Sequence, residues 1–266
     1  MKNDKNILKE TLKEFVPILT FFSLILGFGG LIEFSANGLT KKYAKGNLQD
    51  IMFEQEISLF GSGIKHFGVP SLDFEYNIKD MRAGCYEPQE DKIVLNLLLS
   101  KNTPGWDIGS DEGKLYADLQ DDGARGVIAH ELGHYYCDKL SEKIFHQDGG
   151  VFGTGLNRRI ISEGIAEYFE HSVTGKPNKF KESDWPKSRK QLNRMYKLGI
   201  GKNNFIYNGG HMVVKPLIDK YGKKAIEYMI YEPLRDNELL NYKAYQQRIE
   251  KMINSSIKEN RARSKI

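Results

Sequence analysis

Histidine and glutamate residues near the middle of the sequence have the types and spacing of a hydrolytic metal site. They are His130, Glu131 and His134, in the pattern His-Glu-x-x-His. Histidines four residues apart on a helix lie about 40° from each other on one face, so both imidazoles can bind one metal ion. Glu131 lies about 100° around the helix from His130, where its carboxylate can act as a general base on a water at the metal. The pattern predicts a helix that carries two metal ligands and a base.

The helix that carries this pattern also needs a buried face. Apolar residues recur at i, i+4 and i+7 on the side away from the histidines: Ile128, Leu132 and Tyr135. We predict a long amphipathic helix from Leu115 to Leu140, strands at Leu72–Tyr76 and Lys92–Leu99, and an earlier helix at Tyr43–Phe67. The lysine-rich segment Thr174–Lys202 is predicted to be an exposed excursion.

A zinc site requires at least a third protein ligand. The extended pattern that ends in a third histidine is excluded, because the required glycine and histidine are replaced by Cys137 and Leu140. A second predicted helix instead carries Glu163 and Glu167, four residues apart on one face. One carboxylate can bind the ion while the other accepts the N–H of a ligand histidine and orients it. We interpret Glu163 as the third ligand and Glu167 as the acceptor.

The two motifs together, HELGH at 130–134 and EGIAEYF at 163–169, resemble the gluzincin metallopeptidases. This clan includes thermolysin-like enzymes and aminopeptidases with a glutamate as the third zinc ligand. The resemblance covers roughly residues 83 to 234. It implies an α+β, zincin-like fold with a small mixed or antiparallel sheet, an active-site helix and a mostly helical C-terminal lobe.

The resemblance also implies a role for each motif residue. One zinc ion per chain is expected on His130, His134 and Glu163, with Glu131 as the general base and Glu167 beside a ligand histidine. The chain is thus expected to be a zinc peptidase, and we favour an endopeptidase because no motif for anchoring a substrate amine is evident. The alternatives are an aminopeptidase of the same clan and a non-catalytic binding module that keeps the fold.

Two further segments are similar to parts of the clan. The stretch Ala83–Pro88, which turns into Ile93–Asn96, resembles the hairpin whose edge strand lies above the active-site helix and pairs with extended substrate; a purely structural hairpin is the alternative. The segment around Tyr207 and His211 resembles the late helix that donates a hydrogen bond to the oxyanion. Both residues remain candidates, and Tyr207 ranks first because the adjacent Gly209-Gly210 lets the backbone approach a cleft closely.

Composition excludes several other classes of protein. A charged fraction of 28% with 11% aromatic residues argues against a disordered chain, and a net charge of +4 with no recognisable motif argues against a nucleic-acid partner. The only cysteines, Cys85 and Cys137, are too few for a disulfide-rich scaffold or a four-cysteine zinc site. One disulfide between them remains open.

The N-terminal region is predicted to anchor the protein in a membrane. Phe15–Ile32 is a run of 18 uncharged residues, which just reaches the length that spans a bilayer core of about 30 Å. A cleaved signal peptide and a buried core helix are the alternatives. Lysines flank both sides, with one more on the N-terminal side, so we expect a single-pass protein with its catalytic domain outside the cytoplasm. The predicted domains are 1–35, leader and anchor, and 36–266, with an upper lobe at 36–145 and a helical lobe at 146–266.

Overall fold

A computed structural model describes residues 46, 48–55, 67–75, 83–96, 122–145, 155–175, 177–197 and 205–263. All of them belong to one compact unit, Lys45–Ile266. The predicted membrane anchor at 15–32 and the predicted domain boundary at 35 lie outside the described residues. None of the described helices is both long enough and apolar enough to cross a bilayer.

The described residues form a sheet of three strands, β1 at Ser71–Glu75, β2 at Gly84–Glu87 and β3 at Lys92–Asn96. Strand β3 lies in the centre, parallel to β1 and antiparallel to β2, so the sheet is mixed and β2 is at an edge among these three strands. A 3₁₀ turn at Pro88–Glu90 joins β2 to β3, and Asp91 closes it with a left-handed backbone at φ 47°. Aspartate tolerates this conformation better than most residues do. The predicted hairpin and both predicted strands are confirmed within the described residues.

Helices make up most of the rest of the described chain. They are α1 at Asp122–Phe145, α2 at Leu156–Thr174, α3 at Arg189–Lys197, α4 at Gly210–Tyr221, α5 at Lys223–Tyr231 and α6 at Tyr242–Arg263. A π-helical turn at Phe205–Gly209 leads directly into α4, and residues 48–55 are also helical. The small mixed sheet with many helices confirms the α+β class.

Two close helix crossings place α2 against both α1 and α4. A Cβ atom on Gly133 of α1 would lie 2.6 Å from the Cα of Ala166 on α2. A Cβ atom on Gly164 of α2 would lie 2.6 Å from the carbonyl oxygen of Gly210 on α4. Only glycine permits backbones to approach this closely. The predicted buried face of α1 is confirmed, since its three apolar residues are almost fully buried: Ile128, Leu132 and Tyr135.

The segment predicted to be an exposed excursion is only partly exposed. The charged side chains described in this segment face solvent, but Phe180, Trp185 and Leu192 are buried. The indole N–H of Trp185 donates a hydrogen bond to the carbonyl of Leu239, 3.1 Å away. The prediction was wrong for these positions because it followed the average composition of the segment, which the lysines dominate. The few apolar side chains between the lysines are nevertheless part of the core.

Candidate metal centre

Helices α1 and α2 bring three donor atoms to one point. The Nε2 atoms of His130 and His134 lie 3.3 and 3.4 Å from the same carboxylate oxygen of Glu163, Oε2. The two histidines belong to α1, the glutamate to α2, and each of the three side chains is less than 20% exposed. The structure thus brings together the three residues predicted to be metal ligands.

These distances fit a zinc ion. Zinc binds histidine nitrogen and carboxylate oxygen at about 2.0 to 2.2 Å with tetrahedral geometry, which separates neighbouring donor atoms by about 3.4 Å. The observed separations of 3.3 and 3.4 Å match this value without any movement of the backbone. Two imidazoles and one carboxylate are also a donor set that zinc prefers, and three protein ligands leave one coordination position for a substrate or water.

Carboxylates around the centre make it attractive to positive charge. Burial alone would lower the pKa of His130, but the carboxylates of Glu163, Glu170 and Glu131 outweigh burial and raise that pKa to about 10. Burial would likewise raise the pKa of Glu163, yet the two histidines beside it hold that pKa well below its usual range. A proton or a divalent cation can supply the charge that this cluster favours.

The far side of the His130 ring faces two glutamates rather than one. Its Nδ1 atom lies 3.7 Å from Oε1 of Glu167 and 3.5 Å from Oε2 of Glu170, both slightly beyond the usual hydrogen-bond length. Glu167 therefore lies beside the ring of His130, and its expected role as the acceptor of the ring N–H stays a prediction. Glu170 was missed, although its position three residues further along the same helix puts it on the same face.

A cleft of about 560 Å³ opens onto the three donor atoms. Strand β2 forms one wall with Ala83–Tyr86, and Glu131, only 7% exposed, lies in the wall formed by α1. The volume is typical of small-ligand and substrate clefts. In the part of the chain that the structure describes, Cys85 and Cys137 form no disulfide, and Cys85 lines the cleft.

The hairpin is fixed to α1 by a partly buried hydroxyl. Tyr86 of β2 places its OH 3.0 Å from a carboxylate oxygen of Asp91 in the turn and 3.0 Å from one of Asp138 on α1. Lys139 of α1 also forms an ion pair of 2.7 Å with Asp91. These contacts hold the edge strand over the helix that carries the histidines.

Tyr207 lies in the cleft, beside the three predicted metal ligands. Its ring centroid is 5.7 Å from that of His130, and its phenol lies next to the guanidinium of Arg159. Burial and then the charge of Glu163 raise the pKa of Tyr207 against the opposing effect of Arg159, so the phenol keeps its proton at neutral pH and can donate it in a hydrogen bond. Arg159 also lines the cleft, with Nε 3.5 Å from Oε1 of Glu163. Sequence reasoning missed it, although it precedes Glu163 by four positions on α2.

The second oxyanion candidate, His211, is not among the described residues that line the cleft. It is 4% exposed, and its ring stacks on that of His171 with centroids 4.3 Å apart. Tyr207 lies in the π-helical turn and His211 in the α-helix that follows it. Because a π-helical turn holds more residues than an α-helical turn, the i, i+4 spacing no longer places both side chains on one face.

Comparisons with protein-family models, with curated proteins and with solved structures found no match. The likeness to gluzincins therefore rests on the two motifs and on the geometry of the centre.

Proposed function

We propose that this protein is a zinc-dependent peptidase with a gluzincin-type centre and a zincin-like fold. The observation that carries the proposal is the convergence of His130, His134 and Glu163 at separations that match tetrahedral zinc. The mixed sheet beside the histidine helix supports it further, because the edge strand β2 borders the same cleft.

Glu131 is the proposed general base. When bound, zinc supplies a Lewis acid and lowers the pKa of a water ligand to about 7. Glu131 lies in the cleft wall, one residue after a ligand, where its carboxylate can accept a proton from the attacking water and return it to the leaving amine. Its low exposure keeps bulk water from competing for that proton.

Tyr207 and Arg159 are the proposed electrostatic partners of the oxyanion. A tetrahedral intermediate develops negative charge on the former carbonyl oxygen, and a positioned donor stabilises that charge most when it is held in advance. The phenol of Tyr207 is such a donor, and the guanidinium beside it adds a positive charge to a cleft otherwise rich in carboxylates.

Strand β2 is the proposed binding edge for the substrate backbone. An extended peptide can add to a sheet edge through main-chain hydrogen bonds, and Gly84–Tyr86 lie in the cleft wall. This mode favours an endopeptidase, because an edge strand holds residues on both sides of the scissile bond. Hydrolysis of peptides with blocked amino termini distinguishes it from an aminopeptidase.

The membrane anchor at 15–32 remains part of the proposal. An integral protein stays with the membrane fraction after alkaline carbonate washing, whereas a peripheral protein is released. Release of the full-length chain would remove the anchor from the proposal without affecting the metal centre.

The decisive experiment measures metal content and hydrolysis on the same full-length samples. Wild type should contain about one zinc per chain and cleave N-terminally blocked fluorogenic peptides. Glu131→Gln should keep zinc and lose hydrolysis, Glu163→Ala should lose zinc, and the surface change Glu227→Gln should alter neither. Full zinc content in Glu163→Ala would remove that residue from the ligand set, and zinc-bound wild type that cleaves no peptide would favour the non-catalytic module.

A further inference from the structure

A row of polar side chains, one buried and three partly buried, extends from the metal centre. It comprises Glu167 and His171 of α2, His211 of α4 and Asn178 of the segment that follows α2, and we call it the polar row. His171 Nε2 lies 3.2 Å from Oε2 of Glu167, and the His171 ring stacks on His211 with centroids 4.3 Å apart at 28°. The Nδ1 atom of His211 lies 2.8 Å from the amide nitrogen of Asn178.

Asn178 determines which nitrogen of His211 carries the proton. Its amide oxygen accepts the backbone N–H of Phe180 at 2.9 Å, and its amide nitrogen donates to the carbonyl of Asn208 at 2.7 Å. These two backbone partners fix which end of the amide faces His211, so the amide nitrogen must donate to Nδ1. His211 is therefore neutral, with its proton on Nε2. Burial, then the charges of His171 and Lys215, lower the pKa of His211 to about 4, which agrees with a neutral ring.

His171 is the donor to Glu167. An ionised carboxylate can only accept, so the 3.2 Å contact requires a proton on Nε2 of His171. The stacked, neutral His211 restricts the rotation of the His171 ring, and His211 is itself held by an amide bound to two backbone groups. Each member thus has its orientation set by the next.

We propose that His171, backed by His211 and Asn178, is a positioning residue for the metal centre. It holds one oxygen of Glu167, Oε2, so that the other, Oε1, stays turned toward Nδ1 of His130. Without it, Glu167 is free to change rotamer, and Glu170, more exposed at 29%, is left to orient the ligand histidine. The inference rests on the metal centre of the proposed function and does not depend on peptide hydrolysis.

The test measures zinc affinity of the full-length protein by competition with a chromophoric chelator. His171→Leu removes the donor while filling similar space. It should weaken zinc binding by roughly 10-fold, the lower end of the loss in metal affinity seen when a residue that orients a metal ligand is replaced. His171→Gln keeps an N–H donor and should stay within about 3-fold of wild type, as expected if the hydrogen bond is what matters. Asn178→Leu, which releases His211, should weaken binding less than His171→Leu does.

Ser172→Ala is the matched control, since Ser172 is adjacent on α2 and, among the described residues, its hydroxyl bonds only to the backbone carbonyl of Phe169 on its own helix. Its affinity should equal that of wild type, and circular dichroism should show the same helix content in all variants. Unchanged affinity in a folded His171→Leu protein overturns the inference, as does an equal loss in His171→Gln and His171→Leu, which would indicate packing alone. Wild type that binds no zinc overturns the proposed function together with this inference, whereas tight binding in wild type and in His171→Leu overturns only the inference.

Discussion

Replacing Gly164 with alanine tests the close crossing of α2 and α4. A Cβ atom there would lie 2.6 Å from the carbonyl oxygen of Gly210 and 2.8 Å from its Cα, and the carbonyl carbon is closer still. Ordinary contact begins near 3.4 Å, so the contact with the oxygen alone requires the two helices to separate by about 0.8 Å. Both sides of the clash are backbone, and no side-chain rotation can relieve it.

Two opposing terms set the size of the effect on stability. Overpacking at the unfavourable end of the usual range costs about 3 kcal/mol. Alanine is intrinsically better than glycine inside a helix by about 1 kcal/mol, which offsets part of that cost. We expect a net loss of about 2 kcal/mol in the free energy of unfolding, or a fall in Tm of about 4 to 8 °C for a chain of this size.

The same change should separate metal binding from catalysis. All three proposed ligands lie on α1 and α2, so zinc content should be retained. Tyr207 precedes α4 and moves with it, and a misplacement approaching 1 Å can cost about 100-fold in rate. We therefore expect turnover to fall by about 10- to 100-fold in a zinc-loaded protein.

Thermal unfolding, metal analysis and peptide turnover on one preparation check this prediction. Gly155→Ala is the control, because it adds a Cβ to the start of α2 where no atom of the described residues lies within 4 Å. Its cost should stay below about 1 kcal/mol, since alanine is only a poorer N-cap. Equal stability and turnover in the two variants would refute the argument from the helix crossing.

Three further outcomes are expected. Gly133→Ala should weaken zinc binding rather than turnover alone, because its Cβ would lie 2.6 Å from Ala166 and would separate the two helices that supply the ligands; chelator competition would show normal affinity if this is wrong. Tyr207→Phe should lower turnover by about 100- to 1,000-fold with zinc content unchanged, whereas His211→Gln should lower turnover by less than about 10-fold. Steady-state turnover of one peptide by both variants checks this, and a larger loss in His211→Gln would contradict the assignment of Tyr207. The pKa of His211 in the folded state, about 4, is below its ordinary value of 6.5, and the charged groups that face the ring are His171, Lys215 and Asp219. Stability that depends on the neutral ring is therefore lost as the pH falls from 6.5 to 4. The stability advantage of wild type over His211→Gln should therefore shrink by roughly 2 kcal/mol over that range in urea unfolding, and a constant difference would argue against a buried neutral imidazole.

Local spacing was sufficient to predict the core of the centre. His130 and His134 share a helix face, as do Glu163 and Glu167, so their relative positions follow from the geometry of single helices. The hairpin could also be predicted from the sequence, because its turn residues lie between two short apolar runs. The sequence did not reveal the angle at which α1 crosses α2, which brings Glu170 and Arg159 to the centre.

The face assigned to His211 depended on regular helical spacing. The π-helical turn at Phe205–Gly209 breaks that spacing, and no simple residue pattern predicts such a turn. No motif in the sequence indicated a role for His171, since its partners are Glu167 on the same helix and His211 on a helix distant in sequence. Tertiary contact decided both positions.

The placement of ligands on two consecutive helices gives a bound ion a mechanical role. A zinc ion on His134 and Glu163 would link positions about 30 residues apart, and in the chain-entropy picture a cross-link over such a loop is worth about 3 to 4 kcal/mol. The ion would act as a reversible cross-link between α1 and α2. Chelation would then expose the backbone of α2 to hydrogen exchange and protease before the rest of the domain, and restored zinc would close the same region again. Arg159, Glu167 and His171 all lie on α2, so the cleft and the polar row would loosen and recover together.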